Sequence, residues 1–132
     1  MSNRERQANP LTILLLVDRR TSVLKRHLVE NGFQVVESYT TDRAVAICVN
    51  NSIDAAVIDQ DCFVETDGWS VAQSLKAVKS HLCVVLVSPA TRVRRALPVG
   101  IDAMVSASSP EAVPAEIRRL LRQSHAESSK LG

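Results

Sequence analysis

Aromatic residues are scarce in this 132-residue chain: Phe33, Phe63, Tyr39 and Trp69 amount to 3% of it. Hydrophobic residues still reach 45%, so a core can form, but Val, Leu, Ile and Ala must build it. Paired cysteines are missing too. Cys48, Cys62 and Cys83 are odd in number and show no CxxC spacing, so a reducing compartment is the simplest reading. Cys48 and Cys83 lie in apolar runs, where a thiol behaves as a small hydrophobe. Neither sign of charge dominates, with 16 basic against 14 acidic residues and a net charge of +2. Nucleic-acid binders carry more positive charge and gather it on one face. Nucleic acid is therefore not an expected partner, and the runs Arg92, Arg94, Arg95 and Arg118, Arg119, Arg122 read as solvated helix faces. The longest apolar run, Ile13 to Val17, is far too short to cross a bilayer. The opening MSNRERQANP has no apolar stretch of signal-peptide kind. A cytoplasmic location without membrane contact is the expectation. His27, His81 and His125 share no ligand spacing, and there is no internal repeat or low-complexity tract.

What is present is a regular alternation. The length fits one domain: a flexible arm over 1–10, a folded domain over 11–123 and a disordered tail over 124–132. Leu11 to Val17 is apolar almost throughout, as a strand covered on both faces must be. Thr21 or Ser22 can cap a helix carrying Val23, Leu24 and Leu28 on one side, stopped by Asn31-Gly32. A second strand, Phe33 to Tyr39, alternates better than the first. Thr41 or Asp42 starts a helix with Ala44, Val45, Ile47 and Cys48 inward, ended by Asn50-Asn51. Ile53 to Ile58 is a third strand, terminated by Asp59. A loop runs to Gly68, and the next helix buries Trp69, Val71, Ala72, Leu75 and Val78. Leu82 to Val87 is a fourth strand, and an Arg-rich segment leads to Gly100. Ala103 to Val105 is a brief fifth strand. Ser109-Pro110-Glu111 opens a last helix with Val113, Ile117, Leu120 and Leu121 inward, its regular part starting as late as Pro114. Five strands alternating with about five helical segments predict an α/β fold: a doubly wound parallel sheet in flavodoxin-like order 2-1-3-4-5, helices on both faces.

Ligands of such sheets bind beyond the carboxyl ends of the strands, at the switch point. There stand Asp18 after strand one, Asp59 after strand three and Ser88 after strand four. The predicted order makes these strands neighbours, so the two carboxylates and the hydroxyl are expected to converge on one shallow pocket. Paired carboxylates favour a hard cation such as Mg²⁺. A carboxylate beside it can attack a phosphoryl group and become an aspartyl phosphate, which a hydroxyl can hydrogen-bond.

The stretch Asp54-Ala-Ala-Val-Ile-Asp59, followed by Asp67-Gly68-Trp69, resembles the receiver domains of two-component response regulators. Gly100-Ile101-Asp102 resembles the turn before their fifth strand, and Ser109 to Leu121 their last helix. The resemblance covers Leu11 to Arg122. It implies Asp59 as phosphoacceptor, Asp18 and Asp59 as Mg²⁺ ligands with the backbone carbonyl of Asp61, and Ser88 as the switch hydroxyl. It implies a histidine kinase or phosphotransfer protein as donor. The downstream protein is expected on the face of strand four, strand five and the last helix, and a homodimer is compatible with the reading.

The sequence also departs from the family. Arg19 stands where a second acid is usual, Ala107-Ser108 where Lys-Pro is usual, and Met104 where an aromatic switch residue is usual. The loop after Asp59 is one residue longer and lacks its Pro, and the segment from Ser88 to Gly100 is short. Losing an acid and gaining a cation weakens Mg²⁺ binding, and losing the Lys removes charge that would steady a phosphoryl group. Arg19 is expected to pair with Asp59 or Asp18 in compensation. The first reading is thus a phosphoryl-accepting receiver, and the alternative a degenerate pseudo-receiver acting as a phosphorylation-independent interaction module. An enzyme is not expected: Asp18-Arg19-Arg20 lacks the Asp-x-Asp of a haloacid-type phosphatase, and no Gly-rich loop offers a flavin phosphate site.

Overall fold

A computed structural model describes residues 10–17, 22–59, 68–88 and 100–131, without the side chains of Ser22, residues 68–69 and 124–131. Five strands form one parallel sheet: β1 Thr12–Leu16, β2 Gln34–Ser38, β3 Ala55–Asp59, β4 Cys83–Ser88 and β5 Ala103–Ser106. Their order is β2-β1-β3-β4-β5, as the alternation predicts. The helices are α1 Ser22–Glu30, α2 Thr41–Asn50, α3 Gly68–Val78 and α4 Val113–Leu131, the last preceded by a 3-10 turn at Pro110–Ala112. The Arg-rich segment before Gly100 and residues 1–9 lie outside the described residues.

The continuous apolar runs occupy the middle of the sheet. β3 and β4 are buried at every position, and β1 is buried from Ile13 onward. β2 lies at an edge and is only partly covered: Gln34 is exposed, Val35 to Glu37 are half-buried and Ser38 is buried. The pleat sorts the core into two layers. Ile13, Leu15, Val57, Val85 and Val105 pack with Leu24 and Leu28 of α1 and with Val113, Ile117 and Leu120 of α4. Leu14, Leu16, Ile58, Val84 and Leu86 pack with Ala44 and Cys48 of α2 and with Val71, Ala72 and Leu75 of α3.

Several local expectations change. Val23 and Val78, read as inward, are exposed. Each sits at a helix end. α2 starts at Thr41, as expected, and is capped by Thr40, whose hydroxyl accepts from Arg43 N at 3.2 Å. Ser109 holds the cap position of the 3-10 turn but makes no capping hydrogen bond with its side chain. α4 begins at Val113, which leaves Pro114 in the first turn, where no amide is needed. The helix then continues to Leu131, past the tail expected after Gln123, because no Gly or Pro interrupts it before Gly132. Gly32 closes α1 at φ +89°, with Phe33 N donating to Leu28 O at 3.1 Å.

Two aspartates lock the amino-terminal side of the sheet. Asp54, just before β3, donates its N–H to Thr12 O at 2.9 Å and accepts from Thr12 N through its carboxylate at 2.7 Å. Asp102, just before β5, repeats the device on Val84, at 2.9 Å and 2.8 Å. It also accepts from Lys76 Nζ at 2.7 Å. Arg118 of α4 ties the helix layer together, donating to Asn31 O and lying 5.0 Å over the Phe33 ring. No helix among the described residues is long and apolar enough to cross a membrane.

Candidate functional site

Asp59 ends β3, the central strand, and pairs in register with Val87 of β4. It is only 9% exposed. Apolar residues precede it along the strand, and the pleat turns its carboxylate toward the α1 and α4 layer, following Ala55 and Val57. There it lines a cavity of about 290 Å³ with Val23, Leu24, Val87, Ala107 and Pro110. The wall is mostly aliphatic. Ala107 follows β5, donating its N–H to Ser88 O at 2.7 Å. The expected Ala107-Ser108 substitution thus sits beside Asp59, with no positive charge on the side chain that faces it. The chain turns there on serine hydroxyls: Ser106 Oγ and Ser108 Oγ lie 2.8 Å apart, and Ser108 N donates to Ser106 Oγ at 3.2 Å.

Ser88 is the last residue of β4, one step beyond the partner of Asp59. Val85 and Val87 belong to the layer that Asp59 faces, and Val84 and Leu86 to the other. Ser88 is not among the described residues that line the Asp59 cavity. The structure brings Asp59 and Ala107 together on that cavity. Ser88 is fully buried, and its Oγ has no hydrogen-bond partner among the described residues. A buried hydroxyl in that state costs stability. Met104 is half-buried and packs against the α2 and α3 layer.

Asp18, Arg19 and Asp61 lie outside the described residues, and with them the expected convergence of carboxylates and the Arg19 ion pair. Among the described residues no group of three or more His, Cys, Asp or Glu could hold a metal. Asp59 could supply one carboxylate ligand, and Mg²⁺ is commonly held by one or two carboxylates with water completing its shell. Asp59 thus fits as one member of such a site. The roles of Asp54 and Asp102 were not visible in the sequence. Their partners lie 42 and 18 residues away, and no local pattern announces so distant an acceptor.

A second, larger groove of about 460 Å³ runs along β5 and the start of α4, between Met104, Ser106, Ser109, Glu116 and Arg119. Arg119 Nη2 pairs with Glu116 at 2.6 Å on its rim. Burial pushes the Cys48 and Cys83 thiols above their ordinary value, and the Asp102 carboxylate adds to the rise at Cys83.

No family model matches the sequence, and no curated protein does. Solved structures match over most of the chain. A CheY-like response regulator receiver domain protein from Methanospirillum hungatei has a TM-score of 0.74 at 16% identity, over 90% of this chain and 99% of its own. The receiver domain of a Francisella response regulator has a TM-score of 0.73 at 20% identity, over 88% and 99%. A structure of response regulator TrrA with histidine kinase ThkA has a TM-score of 0.71 at 19% identity, over 84% and 98%. The chain thus has the receiver fold, and at these identities the likeness is one of fold.

Proposed function

We propose that this receiver-fold chain accepts a phosphoryl group on Asp59 and works as a receiver in phosphorelay signalling in the cytoplasm. One observation carries the reading: a nine-tenths buried carboxylate ends the central strand of a 2-1-3-4-5 sheet and opens on a cavity. An Asp59 oxygen would attack the phosphorus of a histidine kinase or phosphotransfer protein, forming the acyl phosphate as the P–N bond to the donor imidazole breaks. That class of donor is supported by the neighbour TrrA, solved in complex with a histidine kinase. Asp59, Asp18 and the backbone carbonyl of Asp61 would hold Mg²⁺, which offsets the repulsion between carboxylate and phosphoryl oxygens. The Ser88 hydroxyl, with no partner among the described residues, is a donor that can turn to a phosphate oxygen. The downstream partner would read β4, β5 and α4. The chain is then an acceptor rather than a turnover enzyme.

A second reading rests on Ala107, which brings no cation to the wall of the Asp59 cavity. Under it the domain is a pseudo-receiver that binds its partner without phosphorylation. Acetyl phosphate with Mg²⁺, followed by intact-mass measurement, separates the two. A gain of one phosphoryl group supports the first reading, and an unmodified mass across donor and Mg²⁺ concentrations favours the second.

A further inference from the structure

α1 is followed at once by Asn31 and Gly32, both exposed. Gly32 sits at φ +89°, and a Cβ placed on it would meet nothing within 4 Å. The Gly32 amide therefore borders open space and has no side chain of its own to crowd it. An asparagine side-chain amide is a weak electrophile, and the backbone nitrogen of the next residue is the nucleophile nearest to it. Joining the two in one short segment makes their reaction intramolecular, which offsets the weakness of both. Two hydrogen bonds restrain them: Asn31 Nδ2 donates to His27 O at 2.7 Å, and Gly32 N to Val29 O at 3.0 Å. Both close the last turn of the helix, which opens more readily than its middle. From the other side, Arg118 of α4 donates to Asn31 O, and through Nη1 to Asn31 Oδ1 at 3.3 Å.

We propose that Asn31 is a site of spontaneous deamidation and that Arg118 receives the charge it creates. When the end of α1 opens, the Gly32 amide nitrogen loses its proton to hydroxide and attacks Asn31 Cγ. The N–Cγ bond forms, the Cγ–Nδ2 bond breaks, and Nδ2 takes up a proton and leaves as ammonia. Water then opens the succinimide ring at one carbonyl to give aspartate, or at the other to give isoaspartate. In the aspartate product the Oδ1 that Arg118 Nη1 already contacts shares a negative charge, so the contact becomes a charge-assisted pair between the end of α1 and α4. Asn50 and Asn51 supply a comparison within the chain. They stand at the end of α2 with the same side-chain bond, to Ala46 O at 2.9 Å and Ile47 O at 3.0 Å. They are followed by Asn51 and Ser52 instead of by a glycine.

The test is incubation of the full-length protein in mildly alkaline buffer, folded and in guanidinium chloride, followed by peptide mass mapping with chromatography that separates aspartate from isoaspartate. Trypsin releases Asn31 in the peptide His27–Arg43, where it is the only asparagine. The expected result is the amide-to-acid mass gain on that peptide in the folded protein, several-fold faster than at Asn50 or Asn51. Guanidinium should accelerate it further, because the bond to Val29 is then gone. Gly32→Ala should slow it several-fold. If that variant does not fold, its rate in guanidinium is compared with that of the wild-type chain in guanidinium, where folding plays no part. A peptide that stays unmodified in the folded protein overturns the proposal, as does equally fast reaction at Asn50 or Asn51. Arg118 is tested by urea midpoints: Arg118→Met should lower the midpoint more in an Asn31→Asp background than in the wild type, and an equal loss overturns the pairing. No phosphoryl donor or Mg²⁺ is present, so the outcome is separate from whether Asp59 is phosphorylated.

Discussion

The two ends of the sheet use the same side chain in opposite ways. At the amino-terminal side, Asp54 and Asp102 are spent on structure: each carboxylate closes a reciprocal pair with the neighbouring strand, and Asp102 takes a lysine as well. At the carboxyl side, Asp59 faces a cavity, and the adjacent Ser88 hydroxyl has no partner among the described residues. One end spends its carboxylates on the sheet itself, and the other turns a carboxylate toward a cavity. An aspartate at a strand end is thus not a functional signal in itself. The direction of the strand decides, because only the carboxyl ends border the switch point.

The largest expected effects fall on the closed end. Asp102→Ala should destabilise the fold by about 2–3 kcal/mol, since it removes charge-assisted hydrogen bonds to Val84 and Lys76. Asp54→Ala should cost about 2 kcal/mol through Thr12 alone. Urea denaturation measures both, and a cost near zero would erase the distinction between the ends. At the open end the sign should reverse. Ser88→Ala removes a buried hydroxyl and should raise stability by about 0.5–1 kcal/mol in the same assay. A clear loss there would mean that Ser88 is held as firmly as the lower aspartates.

The smallest expected effect concerns the thiols. Burial raises Cys48 and Cys83 above the ordinary value of 9.0, so the folded state keeps protons that the unfolded chain releases first. Their contribution to stability is whole below that value and fades as pH climbs through the raised folded values. Urea midpoints should therefore decline at alkaline pH, and less so in a Cys48→Ala, Cys83→Ala double variant.

The central strands were readable from the sequence because burial on both faces leaves an unbroken apolar run, as in Leu14 to Val17 and Val84 to Val87. Once the strands were in order, Asp59 and Ser88 followed as residues at their carboxyl ends. What escaped was side-chain direction and distance. Val23 and Val78 fit a helical stripe, yet both stand exposed at helix ends. Ser88 stands at the expected strand end, one residue beyond the partner of Asp59, an offset that only the register reveals. The bonds of Asp54 and Asp102 span strands far apart in sequence, beyond any local pattern.

The most direct measurement combines phosphoryl uptake with stability in two variants, Asp59→Asn and Asp54→Ala, each treated with acetyl phosphate and Mg²⁺ and weighed intact. The account predicts that Asp59→Asn gains no phosphoryl group and loses less stability than Asp54→Ala, which still gains one at temperatures where it is folded. A phosphoryl group retained by Asp59→Asn, or absent from the wild-type protein, would contradict it.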